Sequence, residues 1–346
     1  MSLMINNNDF KIWLNKTVKK LGGHSACCIR LDDPNFKEAI YKNNKIVSKW
    51  IDDGMHGEMK YLKKMFPQKS DPWKTFPNAK AVIVVIFTNN WGDPNAKHPF
   101  PKIKNDSLVG YISSYAREID YHIKGKKILT ELGILLGKKI NAISAVDTKP
   151  VYERLFAVYG GLGIIGPNDL LRVPDRTNVR VFIGSLFVDV DLPSVIHEPK
   201  MPFGCNDCMA CIKNCPTNAI YPGKPINTLK CISYLTIEKR SILNKSEGRM
   251  IEDWIFGCDL CSNVCPSKEK NDSRIPIDLE WLFKSSSGSI KKLIKNNATS
   301  YAGVTQLRKN GIIVLKNKKN EKADNLINWV KNNSKSKVIL NQISAW

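Results

Sequence analysis

The chain has no uninterrupted apolar run approaching the roughly 18 residues of a membrane-spanning helix, so no helical membrane anchor is expected. Its first residues, Met1 to Trp13, lack the apolar centre of a secretory signal, which makes the cytoplasm the expected compartment. Acidic residues are scarce: 32 Asp and Glu stand against 53 Lys and Arg, a formal net charge of +21. About half of that excess lies in residues 281–346, where thirteen Lys and Arg face only Glu321 and Asp324. A surplus of this kind attracts polyanions through steering and counterion release, so nucleic acid is a candidate partner; the plainer reading is a solvated, lysine-rich surface. The glycine-rich stretch Gly160 to Gly166 (GGLGIIG) has no lysine and hydroxyl residue after it, which excludes a P-loop. It is read instead as a turn admitting close backbone approach.

What is present is an ordinary globular composition, 42% apolar and 25% charged, over 346 residues, enough for two large units or two and an appendage. The first 190 residues alternate helical and strand patterns, as in an α/β unit. Helices are predicted over Phe10–Leu21, Phe36–Trp50 and Ala116–Leu136. Lys80 to Phe87 (KAVIVVIF) reads as a buried strand, Asn141 to Asp147 as a second, and Val179 to Val190 as the longest. Leu192 to Pro202, with three prolines, reads as a linker. Beyond Pro276, helical segments recur at Trp281–Asn296, Ser300–Asn317, Lys322–Asn332 and Ser336–Trp346, a short repeat pair that must lean on the rest of the chain.

Ten cysteines in a reducing compartment point to metal or redox chemistry rather than disulfides. Cys205, Cys208, Cys211 and Cys215 with Pro216 spell C-x2-C-x2-C-x3-C-P, the bacterial ferredoxin run, whose fourth thiolate serves the neighbouring cluster. Cys258, Cys261 and Cys265 with Pro266 form a shortened second run, in which Val264 stands in place of a third close ligand, and Cys231 can supply the missing thiolate from a helix. Pseudo-twofold pairing then assigns Cys205, Cys208, Cys211 and Cys265 to one 4Fe-4S cluster, and Cys215, Cys231, Cys258 and Cys261 to the other. Four-cysteine zinc is the competing reading, and the x2-x2-x3 spacing favours a cubane over a tetrahedral ion. Cys27 and Cys28, without ligand spacing, read as small buried apolar residues. A bare ferredoxin has no need of the large unit that precedes the clusters.

With these residues in view the chain resembles the epoxyqueuosine reductases, cobalamin-dependent enzymes that complete queuosine in tRNA. The resemblance is carried by HGEMKYL (His56–Leu62), YAREIDYH (Tyr115–His122), VDTKPVYER (Val146–Arg154), GGLGIIGPN (Gly160–Asn168), CISYLTIE (Cys231–Glu238), FGCDLC (Phe256–Cys261) and the cysteine runs, in one order along nearly the whole chain. It implies an α+β multidomain protein: a cobalamin-binding α/β domain (1–191), a ferredoxin-like two-cluster module (192–275) and a short, basic, HEAT-like helical appendage (276–346). It implies that the clusters reduce a base-off cobalamin to a nucleophilic, low-valent cobalt, and that the epoxide oxygen leaves as water.

Asp147 matches the family's proton donor; desolvation beside a corrin would raise its pKa, as suits a general acid. Alone, Asp147 would read as a helix cap before Pro150. Lys69, Ser113, Gly161, Gly163, Gly166, Asn168, Ser233 and Tyr234 match cofactor-binding positions, and Lys239 and Arg240 are candidate contacts to the tRNA anticodon stem-loop. His56 and His122 are read as structural hydrogen-bond partners, the family's base-off cobalamin having no protein histidine ligand. Two departures stand out: Pro167, Asn168 and Asp169 replace the family's lysine and hydroxyl residue, and Lys69 replaces a common arginine. The helical tail is also short. The resemblance further implies a monomer served by an external donor such as a flavodoxin or ferredoxin. A reductive dehalogenase and a ferredoxin-type electron-transfer protein are the competing readings.

Overall fold

Seven consecutive apolar residues in a strand put side chains on both faces, so the stretch after Lys80 demands cover above and below. The computed structural model describes residues 6–88, 97–174, 181–198, 205–266 and 274–345. Its strands are β1 (Gly23–Arg30), β2 (Ala81–Phe87), β3 (Val109–Ile112), β4 (Ala142–Ala145), β5 (Ile164–Ile165), β6 (Leu171–Arg172), β7 (Phe182–Val188), β8 (Trp254–Phe256) and β9 (Ile275–Asp278). All seven residues of β2 are buried. Val82, Val84 and Ile86 join Cys27, Ile29 and Phe187 in one core, under helices Pro34–Asp52 and Glu153–Tyr159. Ala81, Ile83, Val85 and Phe87 join Ala26, Cys28 and Val188 in another, under helices Asn7–Lys20 and Tyr121–Leu136.

The sheet order is β1-β2-β7-β4, antiparallel throughout. The layered unit is therefore present, without the parallel strands of a strict α/β fold. The longest strand is β1, at eight residues, a stretch that had been read only as an apolar surrounding for Cys27 and Cys28. Both thiols are buried, and burial pushes Cys28 up to about 12, so they pack as apolar groups. Strand β7 begins at Phe182; Val179 and Arg180 of the expected strand, and residues 199–202 of the expected linker, lie outside the described residues. The helix expected from Ala116 begins at Tyr121, because the Asp120 carboxylate caps it by accepting from the His122 N–H.

A second sheet, β8-β3-β9, crosses the expected domain boundaries. Strand β3 comes from the amino-terminal half, β8 from the cysteine-rich segment, and β9 straddles the boundary expected at 275/276. The core beneath it runs from Phe100 and Ile112 through Leu235 and Trp254 to Leu307 and Ile343. At its centre lies helix Gly303–Lys318, packed by helices Leu279–Lys284, Ser287–Ile294, Glu321–Asn333 and Lys337–Ser344. The expected helix Trp281–Asn296 is split, with the Ser286 hydroxyl capping its second part. The tail is thus half of a core and not an appendage: Asn310 donates to the Thr236 and Ile255 carbonyls, and the buried Lys309 to those of Lys239 and Ser241.

Candidate functional site

The two cysteine runs meet because short helices Ala210–Lys213 and Leu260–Asn263 pack against each other. Electrostatically, the cysteines as thiolates fall mainly into two sets, each sulfur facing the charge of members of its own set. Cys211 faces Cys205 and Cys208, and Cys265 faces those same three. Cys231 faces Cys215, Cys258 faces Cys261 and Cys231, and Cys261 faces Cys231 and Cys215. Cys261 also feels Cys211, which brings the quartets side by side. Cys231 lies just before a π-helical turn, Tyr234–Glu238, and not within a helix.

These residues fit iron–sulfur cubanes by donor chemistry. Burial pushes the Cys258 thiol up, and Cys261 up to about 12, so thiolates so placed need cationic iron beside them. Main-chain N–H groups aim at the sulfurs: Ala219 donates to Cys215 Sγ at 3.3 Å, Leu260 to Cys258, and Ser233 and Tyr234 to Cys231. Such donors offset thiolate charge in a cluster site. Among the described residues, no three His, Cys, Asp or Glu side chains are grouped so as to hold a single metal ion.

A cavity of about 1100 Å³ opens in the molecule. This is at or above the top of the ~300–1,000 Å³ range of drug-sized sites, as a macrocycle with a substrate would require. Its wall is assembled from distant segments: Tyr61 to Lys69, Tyr115 to His122, Asp147 to Val158, Ile237 and Glu238, Phe256, and Ala298 to Tyr301. Ile237, Glu238 and Phe256 belong to the segments that carry Cys231 and Cys258, so thiol module and cavity share a partition.

Asp147 stands on this wall two residues past β4, at φ +51°, a left-handed conformation that aspartate tolerates better than most residues. Its N–H donates to Glu153 Oε1 at 2.7 Å, and its Oδ2 accepts from the Tyr121 hydroxyl at 2.6 Å. His122 Nε2 lies 4.0 Å from the same oxygen, and His122 Nδ1 lies 2.6 Å from Asp120 Oδ1. The Asp147 side chain is 63% exposed to the open cavity, so the burial expected around it is not supplied by the protein alone. Glu153 is a strongly perturbed carboxyl: burial and then the Asp147 charge push it up to about 8. Lys69 is on the wall too, 5.9 Å from the Tyr152 ring centre, its pKa lowered by burial.

The other expected cofactor residues do not line the cavity. Ser113 is buried and donates to Asp259. A Cβ on Gly161 would strike the His197 carbonyl, one on Gly163 the Arg172 carbonyl, and one on Gly166 would meet the Asn168 side chain at 3.0 Å. Gly161 and Gly163 admit protein backbone, and Gly166 a protein side chain. Asn168 is buried and its amide reaches the Cys261 carbonyl at 3.4 Å. The Tyr234 hydroxyl accepts from the Glu58 N–H at 2.8 Å, and Ser233 is half-buried beside Cys231. Asp169, in the departure from the family's sequence, pairs with Arg154 on the wall. Lys239 is held by Glu247 at 2.7 Å, and the Arg240 guanidinium donates to the carbonyls of Ala302 and Tyr301. His122 makes the expected hydrogen bond; the Nδ1 of His56 is buried without one. Glu153, Tyr121 and Glu238 were not singled out as site residues, although each lies within a motif segment; Tyr301 carried no signal at all.

Comparison with known proteins follows the same division. The family model described as "4Fe-4S double cluster binding domain" matches residues 204–268. The one described as "Epoxyqueuosine reductase QueG, DUF1730" matches residues 69–148. A protein of Cyclobacterium marinum named epoxyqueuosine reductase is 34% identical over 259 residues, 73% of this chain and 77% of that one. An epoxyqueuosine reductase structure from Streptococcus thermophilus superposes with a TM-score of 0.78 at 20% identity, over 97% of this chain and 88% of the other. A crystal structure of epoxyqueuosine reductase with an epoxyqueuosine-modified tRNA stem loop superposes with a TM-score of 0.77 at 21% identity, over 98% and 89%. At these identities the structural matches establish the fold.

Proposed function

Because the chain belongs to the epoxyqueuosine reductase family of oxidoreductases, we propose that it reduces epoxyqueuosine to queuosine in tRNA, with two 4Fe-4S clusters, a base-off cobalamin and Asp147 as proton donor. The observation that carries this reading is the shared partition: a cavity with Asp147 on one wall has another wall built from the segments that hold Cys231 and Cys258. When bound, the reduced corrin supplies the electron pair that opens the epoxide. Asp147 then delivers a proton to the departing oxygen, its carboxyl oriented by the Tyr121 hydroxyl and its loop by Glu153.

The apolar wall residues Leu62, Met65, Val151 and Val158 suit the face of a large ring, and Lys69 and Arg154 suit its polar substituents. The basic tail would meet the phosphates of the anticodon stem-loop, with Lys239 and Arg240 near the mouth, and a flavodoxin or ferredoxin would recharge the clusters in the cytoplasm. The test is nucleoside analysis of tRNA by mass spectrometry from cells with and without the gene. Accumulated epoxyqueuosine on deletion, reversed by the parent chain and not by Asp147→Asn, is the expected result. Unchanged queuosine on deletion would overturn it.

A further inference from the structure

Removing an epoxide oxygen as water breaks two C–O bonds, forms one C=C bond and two O–H bonds, and takes up two electrons and two protons. The electrons come from the reduced cofactors. Asp147 holds one proton at a time, so it must be reloaded once within every turnover, in a cavity from which cofactor and substrate exclude water. We propose that His122, held by Asp120, relays protons from solvent to Asp147. This inference rests on the function proposed above.

The geometry is a file of three groups. Asp120 Oδ1 lies 2.6 Å from His122 Nδ1 and fixes the ring, leaving Nε2 to face Asp147 Oδ2 at 4.0 Å. The His122 side chain is 34% exposed, so it touches both solvent and the cavity. The Tyr121 ring stacks on the imidazole at 4.1 Å between centres while its hydroxyl holds the same Asp147 oxygen. At 4.0 Å the gap is longer than a hydrogen bond, so transfer requires the carboxyl or the ring to turn toward the other.

The neighbours leave His122 as the relay. Tyr121 keeps its own proton, because burial and the Asp147 charge drive its pKa far up. Glu153 faces the Asp147 main-chain N–H and spends its contact there. Lys69, across the wall, is set beside Glu153 as well as Asp147. Tyr115 likewise keeps its proton, because burial and then the neighbouring carboxylates push its pKa well up. Tyr61 and Glu238 feel the Asp147 charge from further along the wall. The charged groups facing His122 itself are Asp120 and Asp147. Burial opposes its charge, and these two carboxylates outweigh burial and raise its pKa. The imidazole therefore holds its proton to higher pH than an ordinary histidine does, as a proton carrier requires.

The test is steady-state turnover of anaerobically loaded holoenzyme on tRNA bearing epoxyqueuosine. His122→Gln should lower kcat about a hundredfold, within the range for lost acid–base function, with KM, iron and corrin content unchanged and with added imidazole restoring rate. The parent's rate should fall as pH rises through the raised imidazole pKa. His122→Gln should lose that limb, and Asp120→Asn should move it to lower pH. A His122→Gln enzyme with the parent's kcat, or a loss that imidazole leaves unrestored with the limb still in place, would overturn the relay. A parent enzyme with no turnover sinks the function and the relay together; a competent parent beside an unimpaired His122→Gln sinks the relay alone.

Discussion

The thiol module and the cavity are built in opposite ways. Eight sulfurs come from one stretch of about sixty residues, four of them on short helices, so local spacing brings Cys205, Cys208 and Cys211 together. The cavity draws its wall from segments between Asn43 and Tyr301, none adjacent in sequence to more than a few of the others. A chelating site concentrates its tolerance limits in a few atoms, whereas an assembled cavity spreads them over the packing that holds its walls apart. Damage to the first should be all-or-none for a cofactor, and damage to the second graded.

That contrast can be broken most directly at a sulfur. Cys258→Ser should take the reconstituted protein from roughly eight iron atoms toward four and abolish turnover, measured by iron analysis and activity. Retention of all the iron would place Cys258 outside the ligand set. Asp147→Asn should cost about 10²- to 10⁴-fold in kcat while keeping iron and the absorption of bound cobalamin. A loss of corrin affinity instead would make Asp147 part of the container.

Smaller effects test the walls. Gly163→Ala pushes a methyl into the Arg172 carbonyl, and should cost about 1–3 kcal/mol of stability with or without corrin, read by thermal unfolding. Corrin-specific loss would return this glycine to the cofactor. Glu58 joins the amino-terminal half to the thiol module: its carboxylate accepts from the N–H groups of Arg240 at 2.8 Å and Ser241 at 3.1 Å. Burial acts to raise its pKa, but the Ser241 and Arg240 contacts dominate and hold it below the ordinary glutamate range. The depressed folded value means that this stabilisation is complete above the unfolded pKa and lost as pH falls through the folded one. Glu58→Gln should therefore destabilise by about 1 kcal/mol at pH 7, the difference closing under acid conditions.

The glycine loop shows where sequence patterns stop being legible. GGLGIIG announces close approach, which is correct; what approaches Gly161 and Gly163 is the protein's own backbone at His197 and Arg172, thirty-six and nine positions along. A missing side chain states only that space is occupied by something else. Likewise β3 was invisible beforehand, because four residues with two partners from the far half of the chain carry too short an alternation to register. The burial of Ser113 and Asn168 in protein contacts could not be told from cofactor contacts by residue type, since a hydroxyl or amide serves either.

By itself the sequence determined the iron–sulfur segment, the doubly covered strand and the order of the motif segments, because cysteine spacing and side-chain alternation are properties of neighbours along a chain. Only the tertiary structure decided that the sheet is antiparallel, that the basic tail is half of a core, and that Asp120, His122 and Asp147 fall in line. Those outcomes depend on contacts between residues tens to hundreds of positions apart, and no local pattern encodes which distant surface a given face will meet.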